Sequence, residues 1–144
     1  MKTALVATAL VMIGFGAIPA RSQTVTYLDA GTVSDALAKG GSLVTAPDLK
    51  VSGNHRAGPG EAELHDKETD IFYVVEGNAS FVTGGTILGG RQTAPGQTRG
   101  TNIRGGLIHR LKQGDVIVVP AGIPHWFKEV SPTIKYLAVK VLKP

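Results

Sequence analysis

Short apolar runs, rich in valine and isoleucine, recur along most of the chain between glycine, proline and polar residues. Such runs predict β-strands bounded by turns. The last run alternates, with Leu137, Val139 and Val141 on one side of a strand and Ala138 and Lys140 on the other, which predicts one buried face. The predicted strands are 42–45, 49–55, 61–65, 71–76, 79–83, 106–111, 115–119, 125–130 and 134–142.

One helix interrupts this pattern near the start of the chain. Thr32 is a suitable N-cap, Asp35 falls in the first turn, and Gly40 and Gly41 end the helical pattern. We expect this helix to pack across an end of the β-structure. The 19 glycines and 8 prolines support frequent turns, and residues 76–78 (Glu-Gly-Asn) predict a tight hairpin turn.

The first 22 residues have the layout of a secretory signal peptide. A lysine follows Met1, residues 4–18 are apolar and uncharged, and the small residues Ala20 and Ser22 precede a predicted cleavage site after Ser22. The expected protein is therefore secreted or periplasmic, without stable membrane insertion after cleavage. An uncleaved membrane anchor is the alternative.

Charge and cysteine content narrow the classes of partner. Without Lys2 and Arg21, the 15 basic residues become 13, against 11 acidic residues, a net charge of +2. The basic residues form no stripe and are not interleaved with aromatic residues, so no nucleic-acid partner is predicted. The chain has no cysteine, so no disulfide supports the fold.

The segment 84–105 is rich in glycine and is predicted as a long loop. It carries Arg91, Arg99 and Arg104. Loops of this length are usually functional or disordered. The alternatives are a lid that carries arginines over a binding site, a solvated excursion, or a contact between subunits.

Four side chains are candidates for a metal site. Glu63 and His65 are two residues apart in a predicted strand and therefore share a face, and Asp70 opens the next strand. His125 follows a rigid Pro-Ala-Gly-Ile-Pro turn that fixes its direction. Burying such groups unpaired is costly, and a divalent cation is the natural partner. Two imidazoles with one or two carboxylates suit iron, manganese, nickel or zinc. Residues 66–68 are predicted as a solvated turn.

These stretches resemble the paired motifs of the cupin superfamily. The second motif is matched by Gly114, Pro120, Gly122 and His125. In the first motif, Asp70 replaces the usual glutamate, Gly77 follows at the expected spacing, and Glu63 replaces the first histidine of the pair that ends at His65.

The resemblance implies an all-β, single-domain, cupin-like β-barrel (jelly roll) with one short N-terminal helix. The signal peptide would occupy residues 1–22, an N-terminal arm with the helix residues 23–48, and the barrel domain residues 49–144. Metal ligands would be Glu63, His65, Asp70 and His125, and the partners a small molecule and a second copy in a homodimer.

Two functions fit this resemblance. The first is a metalloenzyme of dioxygenase, isomerase, decarboxylase or lyase type acting on a small oxygen-rich molecule. Tyr73 or His109 would then assist proton transfer, although alternation from Asp70 turns Tyr73 outward. The alternative is a non-catalytic module that binds a small ligand in the same cavity.

Overall fold

The computed structural model describes residues 24–143, and the predicted signal peptide at residues 1–22 lies outside them. Helix α1 (Ala30–Lys39) begins at the N-cap Asp29, whose carboxylate accepts a hydrogen bond from the Thr32 amide at 2.9 Å. The prediction of Thr32 as N-cap is wrong because the carboxylate three residues earlier caps the helix first. Gly40 ends the helix as predicted. Among the described residues, no helix has the length and apolar character needed to cross a membrane.

Strands make up most of the remaining described chain, as predicted for an all-β fold. In chain order they are β1 (Gly41–Thr45), β2 (Leu49–Arg56), β3 (Ala62–His65), β4 (Glu68–Thr83), β5 (Thr86–Leu88), β6 (Arg91–Ala94), β7 (Gln97–Gly100), β8 (Asn102–Arg104), β9 (Leu107–Lys112), β10 (Val116–Val119) and β11 (His125–Leu142).

The two longest strands, β4 and β11, organise the sheet. They pair antiparallel along most of their lengths, and β9 and β10 pair with β4. Strand β11 also pairs with β2 and with β3. The strand order through these pairs is β1, β2, β11, β3, β7 and β6. Strands β5 and β8 form a separate pair. The result is the predicted jelly-roll architecture. Strand β11, which begins at His125, pairs with both β3 and β4, the strands that carry the other candidate ligands.

Helix α1 packs on the face of β2. A Cβ atom on Gly53 would lie 2.5 Å from the carbonyl carbon of Ala36, so the helix backbone rests directly on this glycine. The expected position across an end of the barrel is therefore wrong. The close approach requires a residue without a side chain at this point of β2.

Strand β4 passes very close to β11 at Gly77, where the pairing of the two long strands is irregular. The φ of Gly77 is +82°, and a Cβ there would lie 2.0 Å from the Thr133 carbonyl oxygen. Strand β4 continues through Gly77, and the register with β11 shifts between Val130 and Ile134. The predicted hairpin turn at residues 76–78 is wrong because the glycine lets the strand bend without reversing it.

The segment 84–105 forms strands β5 to β8, so the prediction of a long loop is wrong. Strand β7 extends the sheet beside β3 and places Gln97 opposite His65 and Arg99 opposite Glu63. This segment therefore forms a wall of the candidate site through backbone pairing.

An aromatic cluster fills the core next to the candidate ligands. Phe81 is fully buried, and its ring centroid lies 4.7 Å from that of Phe127 and 5.7 Å from that of Phe72. Strand β11 has one buried face, as predicted. That face carries Tyr136 and Ala138 and lies opposite the side of Leu137. Lys140 lies on the same inner side.

Candidate metal centre

The structure brings the four predicted metal-site residues together inside the fold. Asp70 Oδ2 lies 3.5 Å from His65 Nε2 and 3.2 Å from His125 Nε2. Glu63 Oε2 lies 3.4 Å and 3.9 Å from the same two nitrogens. Strand β3 supplies Glu63 and His65, β4 supplies Asp70, and β11 begins at His125. We call Glu63, His65, Asp70 and His125 the ligand cluster.

The turn before β11 is tied directly to β3. Gly122, at φ +82°, donates its amide to the His65 carbonyl at 2.8 Å. The turn that aims His125 is therefore attached to the strand that ends at His65, which explains how residues 60 positions apart in the sequence meet.

Both imidazole rings are held through Nδ1. The Nδ1 atom of His65 is hydrogen-bonded to Gln97 Oε1, and that of His125 lies 3.1 Å from the Ile123 carbonyl oxygen. Because both partners are acceptors, each Nδ1 carries the proton, and a neutral ring keeps its lone pair on Nε2. Both Nε2 lone pairs are thereby directed into the ligand cluster.

Each carboxylate of the cluster is anchored by one oxygen and offers the other. Lys140 Nζ lies 2.8 Å from Asp70 Oδ1, and Arg99 lies 3.0 Å from Glu63 Oε1. The remaining oxygens, Asp70 Oδ2 and Glu63 Oε2, face the histidines. Glu68 accepts a second hydrogen bond from Lys140 at 3.0 Å. This arrangement favours one coordinating oxygen from each carboxylate.

Burial and neighbouring charges set the protonation of these groups. Burial alone would raise the pKa of the Asp70 carboxyl, but His125 and the Lys140 ammonium outweigh it and hold the pKa below its ordinary value. The pKa of Glu63 is lowered in the same way, with burial opposed by His65 and Arg99. Burial would lower the pKa of His65, but the two carboxylates raise it above its ordinary value. The cluster therefore holds two ionised carboxylates at neutral pH.

Three atoms of the cluster test directly whether a cation fits. With both rings neutral and protonated at Nδ1, the buried atoms His65 Nε2, Asp70 Oδ2 and His125 Nε2 have no hydrogen-bond partner among residues 24–143. Buried polar atoms without partners are rare and costly, and these three converge on one space. Two imidazole nitrogens with carboxylate oxygens are ligands for iron, manganese, nickel or zinc. The residues fit a divalent metal ion.

A cavity of about 220 Å³ opens beside the cluster. Ser52 and Asn54 of β2 line one side, and Phe72 and Trp126 line another. The Trp126 indole donates to the Gly60 carbonyl at 2.8 Å, which fixes its position in the wall. A small molecule in this cavity would meet hydroxyl, amide and aromatic groups next to the ligand cluster.

Three supporting side chains are not identified by the sequence pattern, namely Glu68, Gln97 and Lys140. Glu68 was predicted to lie in a solvated turn, yet its side chain is only 13% exposed and pairs with Lys140. Gln97 falls in the predicted loop, whereas Arg99 is one of the three arginines that the lid alternative places over a binding site. For Lys140, the alternation of β11 is a usable signal, because it shares the inner side with the buried Ala138.

The two candidate proton-transfer residues lie apart from the cluster. His109 Nε2 is 2.8 Å from Thr83 Oγ1, and His109 does not line the cavity beside the cluster. Tyr73 is 45% exposed, as the alternation predicts. Neither residue contacts a member of the ligand cluster.

A jelly roll with two histidines and two carboxylates gathered in its interior defines a class of small β-barrel proteins. The family model described as "Cupin" matches residues 58–144, and the chain belongs to the cupin family. This match includes the whole ligand cluster. No curated protein sequence matches the chain significantly.

Solved structures share the fold at low sequence identity. KdgF from Halomonas sp. is 19% identical, with a TM-score of 0.53, covering 72% of this chain and 77% of its own. A cupin superfamily protein from Desulfitobacterium hafniense is 17% identical, with a TM-score of 0.51 and coverage of 71% and 74%. Streptomyces Pac13 with uridine is 11% identical, with a TM-score of 0.50, and the match covers 70% of this chain but only 65% of Pac13.

Proposed function

We propose that this protein binds one divalent metal ion through the ligand cluster and is a metalloenzyme acting on a small oxygen-rich molecule. The observation that carries the proposal is the convergence of three buried, unpartnered atoms from β3, β4 and β11. A cation satisfies all three at once, and each of the two carboxylates keeps one oxygen free of its lysine or arginine partner to bind it. The metal is iron, manganese, nickel or zinc.

A bound ion supplies Lewis acidity, which polarises a carbonyl or hydroxyl oxygen of the ligand. The chain's own groups supply positioning. Gln97 and the Ile123 carbonyl hold the two rings, and Lys140 and Arg99 hold the carboxylates. Supporting contacts of this kind commonly tune metal affinity and activity.

The cavity beside the cluster supports a small polar ligand. Ser52 and Asn54 offer hydrogen bonds to hydroxyl groups, while Phe72, Trp126 and Phe127 supply apolar surface in the same cavity. Among similar structures, Pac13 is described as a nucleoside dehydratase and is seen with uridine. The proposed reaction belongs to the dioxygenase, isomerase, decarboxylase or lyase types.

The proposal extends to location and assembly. The apolar segment at residues 4–18, between a lysine and a small-residue cleavage site, supports export to the periplasm or the medium. Apolar side chains exposed on neighbouring strands, such as Val116, Val118 and Leu107, support pairing of two copies.

The test combines metal content with turnover. Protein purified without a histidine tag is loaded with each of the four metals and incubated with sugar derivatives, carboxylic acids and aromatic diols. We expect one metal per chain and turnover of at least one compound, both lost in His125→Ala. His55→Ala is the matched control, because His55 is exposed and its ring is hydrogen-bonded to the Ala38 carbonyl on helix α1. Metal binding with compound binding but no turnover would establish the non-catalytic module instead.

A further inference from the structure

Arg56 is a cation placed in the cavity of the candidate metal centre. It is the last residue of β2, and its side chain lines the same cavity as Asp70 and His125. Its Nε donates to the Tyr136 hydroxyl at 3.0 Å, and its guanidinium carbon lies 5.0 Å from the centre of the Phe127 ring. These two contacts fix the plane and direction of the guanidinium.

Gly60 leaves the space that the guanidinium occupies. A Cβ atom at residue 60 would lie 2.6 Å from a terminal nitrogen of Arg56. The Gly60 carbonyl is held in turn by the Trp126 indole. Arg56 is therefore seated between a ring and a backbone segment that is itself fixed.

No carboxylate among residues 24–143 lies within ion-pair distance of Arg56, unlike the other cations near the site. Arg99 pairs with Glu61 and Glu63, and Lys140 pairs with Asp70. Arg56 is half-buried, where an unpaired charge is unfavourable. Its planar fork of donors matches the two oxygens of a carboxylate.

The charge of the cavity points to the same kind of ligand. Its lining includes three cationic and three acidic side chains, so the lining is formally neutral before a metal binds. A divalent ion leaves the cavity positive, which favours an anion. The six side chains are Arg56, Arg99, Lys140, Glu61, Glu63 and Asp70.

We infer that Arg56 binds a carboxylate of the substrate, so that the substrates are small organic acids that carry a second oxygen function for the metal. This inference rests on the proposed metal site. Arg56 is a binding and specificity residue, and it separates carboxylic acids from neutral molecules of the same size.

The experiment uses simple diacids as probes. The protein is first titrated with Mn²⁺ and, if Mn²⁺ does not bind, with iron, nickel and zinc. The loaded protein is then titrated calorimetrically with malonate, succinate, glutarate and adipate, each compared with its own monoamide. One carboxylate can bind the metal while the other reaches Arg56. We expect at least one diacid to bind roughly 10- to 100-fold more tightly than its monoamide, as is typical of a hydrogen-bonded ion pair.

Two variants and a control assign the preference. In Arg56→Gln the advantage of the diacid should fall to within about threefold, and in Arg56→Lys it should be intermediate, because the charge remains but the fork is lost. Arg104→Gln removes an exposed arginine on β8 and should keep the full advantage. Equal affinity for the loaded metal in all proteins shows that the variants retain the metal site.

The outcomes separate this inference from the proposed function. Failure of the wild type to bind manganese, iron, nickel or zinc in the first titrations overturns the proposed function and removes the basis of the inference. Normal metal binding without a diacid preference, or a preference undiminished in Arg56→Gln, overturns the inference alone.

Discussion

Replacing Lys140 by methionine separates the anchoring of Asp70 from metal binding. Lys140 holds Asp70 Oδ1 at 2.8 Å, and the Asp70 side chain is only 2% exposed, whereas that of Lys140 is 27% exposed. Removing one partner of a fully buried ion pair costs about 3–5 kcal/mol. Because water reaches part of the lysine, we expect Lys140→Met to cost about 2–3 kcal/mol in metal-free protein.

A matched control lies on the same strand. Lys135 is 28% exposed and pairs with Glu76 at 2.9 Å, but Glu76 is 59% exposed. Lys135→Met should therefore cost less than about 1 kcal/mol. The comparison holds the substitution, strand and lysine exposure constant. It changes the carboxylate partners, which are buried Asp70 and 13% exposed Glu68 for Lys140 but only exposed Glu76 for Lys135.

Urea unfolding with EDTA and then with saturating Mn²⁺ measures both effects. In EDTA, Lys140→Met should lower the midpoint by roughly 1 M or more, given slopes of about 1–3 kcal/mol per molar urea. With Mn²⁺ the deficit should shrink, because the ion neutralises Asp70 in place of the lysine. For the deficit with Mn²⁺ to be about 1.4 kcal/mol smaller than the deficit in EDTA, Mn²⁺ must bind the variant tenfold more tightly than it binds the wild type. Equal costs for the two lysine variants in EDTA, or a deficit unchanged by Mn²⁺, would refute this reasoning.

Three further predictions follow from other contacts. Gly53→Ala places a Cβ atom 2.5 Å from the helix backbone and should lower the free energy of unfolding by about 1–3 kcal/mol, measured by thermal unfolding. Gly41→Ala, where the added Cβ meets open space, is its control, and equal losses of stability in the two variants would contradict the packing of α1 on β2. Gln97→Leu removes the acceptor at His65 Nδ1 and should weaken Mn²⁺ binding about 10-fold or more in a chelator competition, whereas unchanged affinity would show that this contact is dispensable. The pKa of His65 is raised in the folded protein, so protonated His65 stabilises the fold of the metal-free protein. This contribution to the free energy of unfolding is complete below the ordinary pKa of about 6.5 and is lost as pH rises through the higher folded value. Mn²⁺ affinity should rise over the same range as His65 loses its proton, and affinity flat from pH 6 to 8 would contradict that linkage.

The ligand cluster was predictable because its signals are local. The two-residue spacing of Glu63 and His65 assigns them to one face, and the proline-bounded turn fixes His125. Lys140 and Gln97 depend instead on strand register, Lys140 with Asp70 and Gln97 with His65. That register is established by pairing between distant segments, which local alternation does not specify.

The errors in the predicted fold have a related cause. Gly77 fits either a hairpin or a bend by its local sequence, and the choice is made by the close approach of residue 133 from β11. The glycines between residues 84 and 105 mark turns between short strands as readily as a loop. Their pairing partners, such as β3 for β7, lie elsewhere in the chain.

A crystal of the protein grown with zinc, with anomalous diffraction recorded at the zinc edge, tests the central claim most directly. The account predicts one strong peak bonded to His65 Nε2, His125 Nε2, Asp70 Oδ2 and Glu63 Oε2, at roughly 2.0–2.2 Å from each atom. An occupied zinc ion bound only elsewhere on the chain, or two imidazoles that do not share an ion, would contradict it.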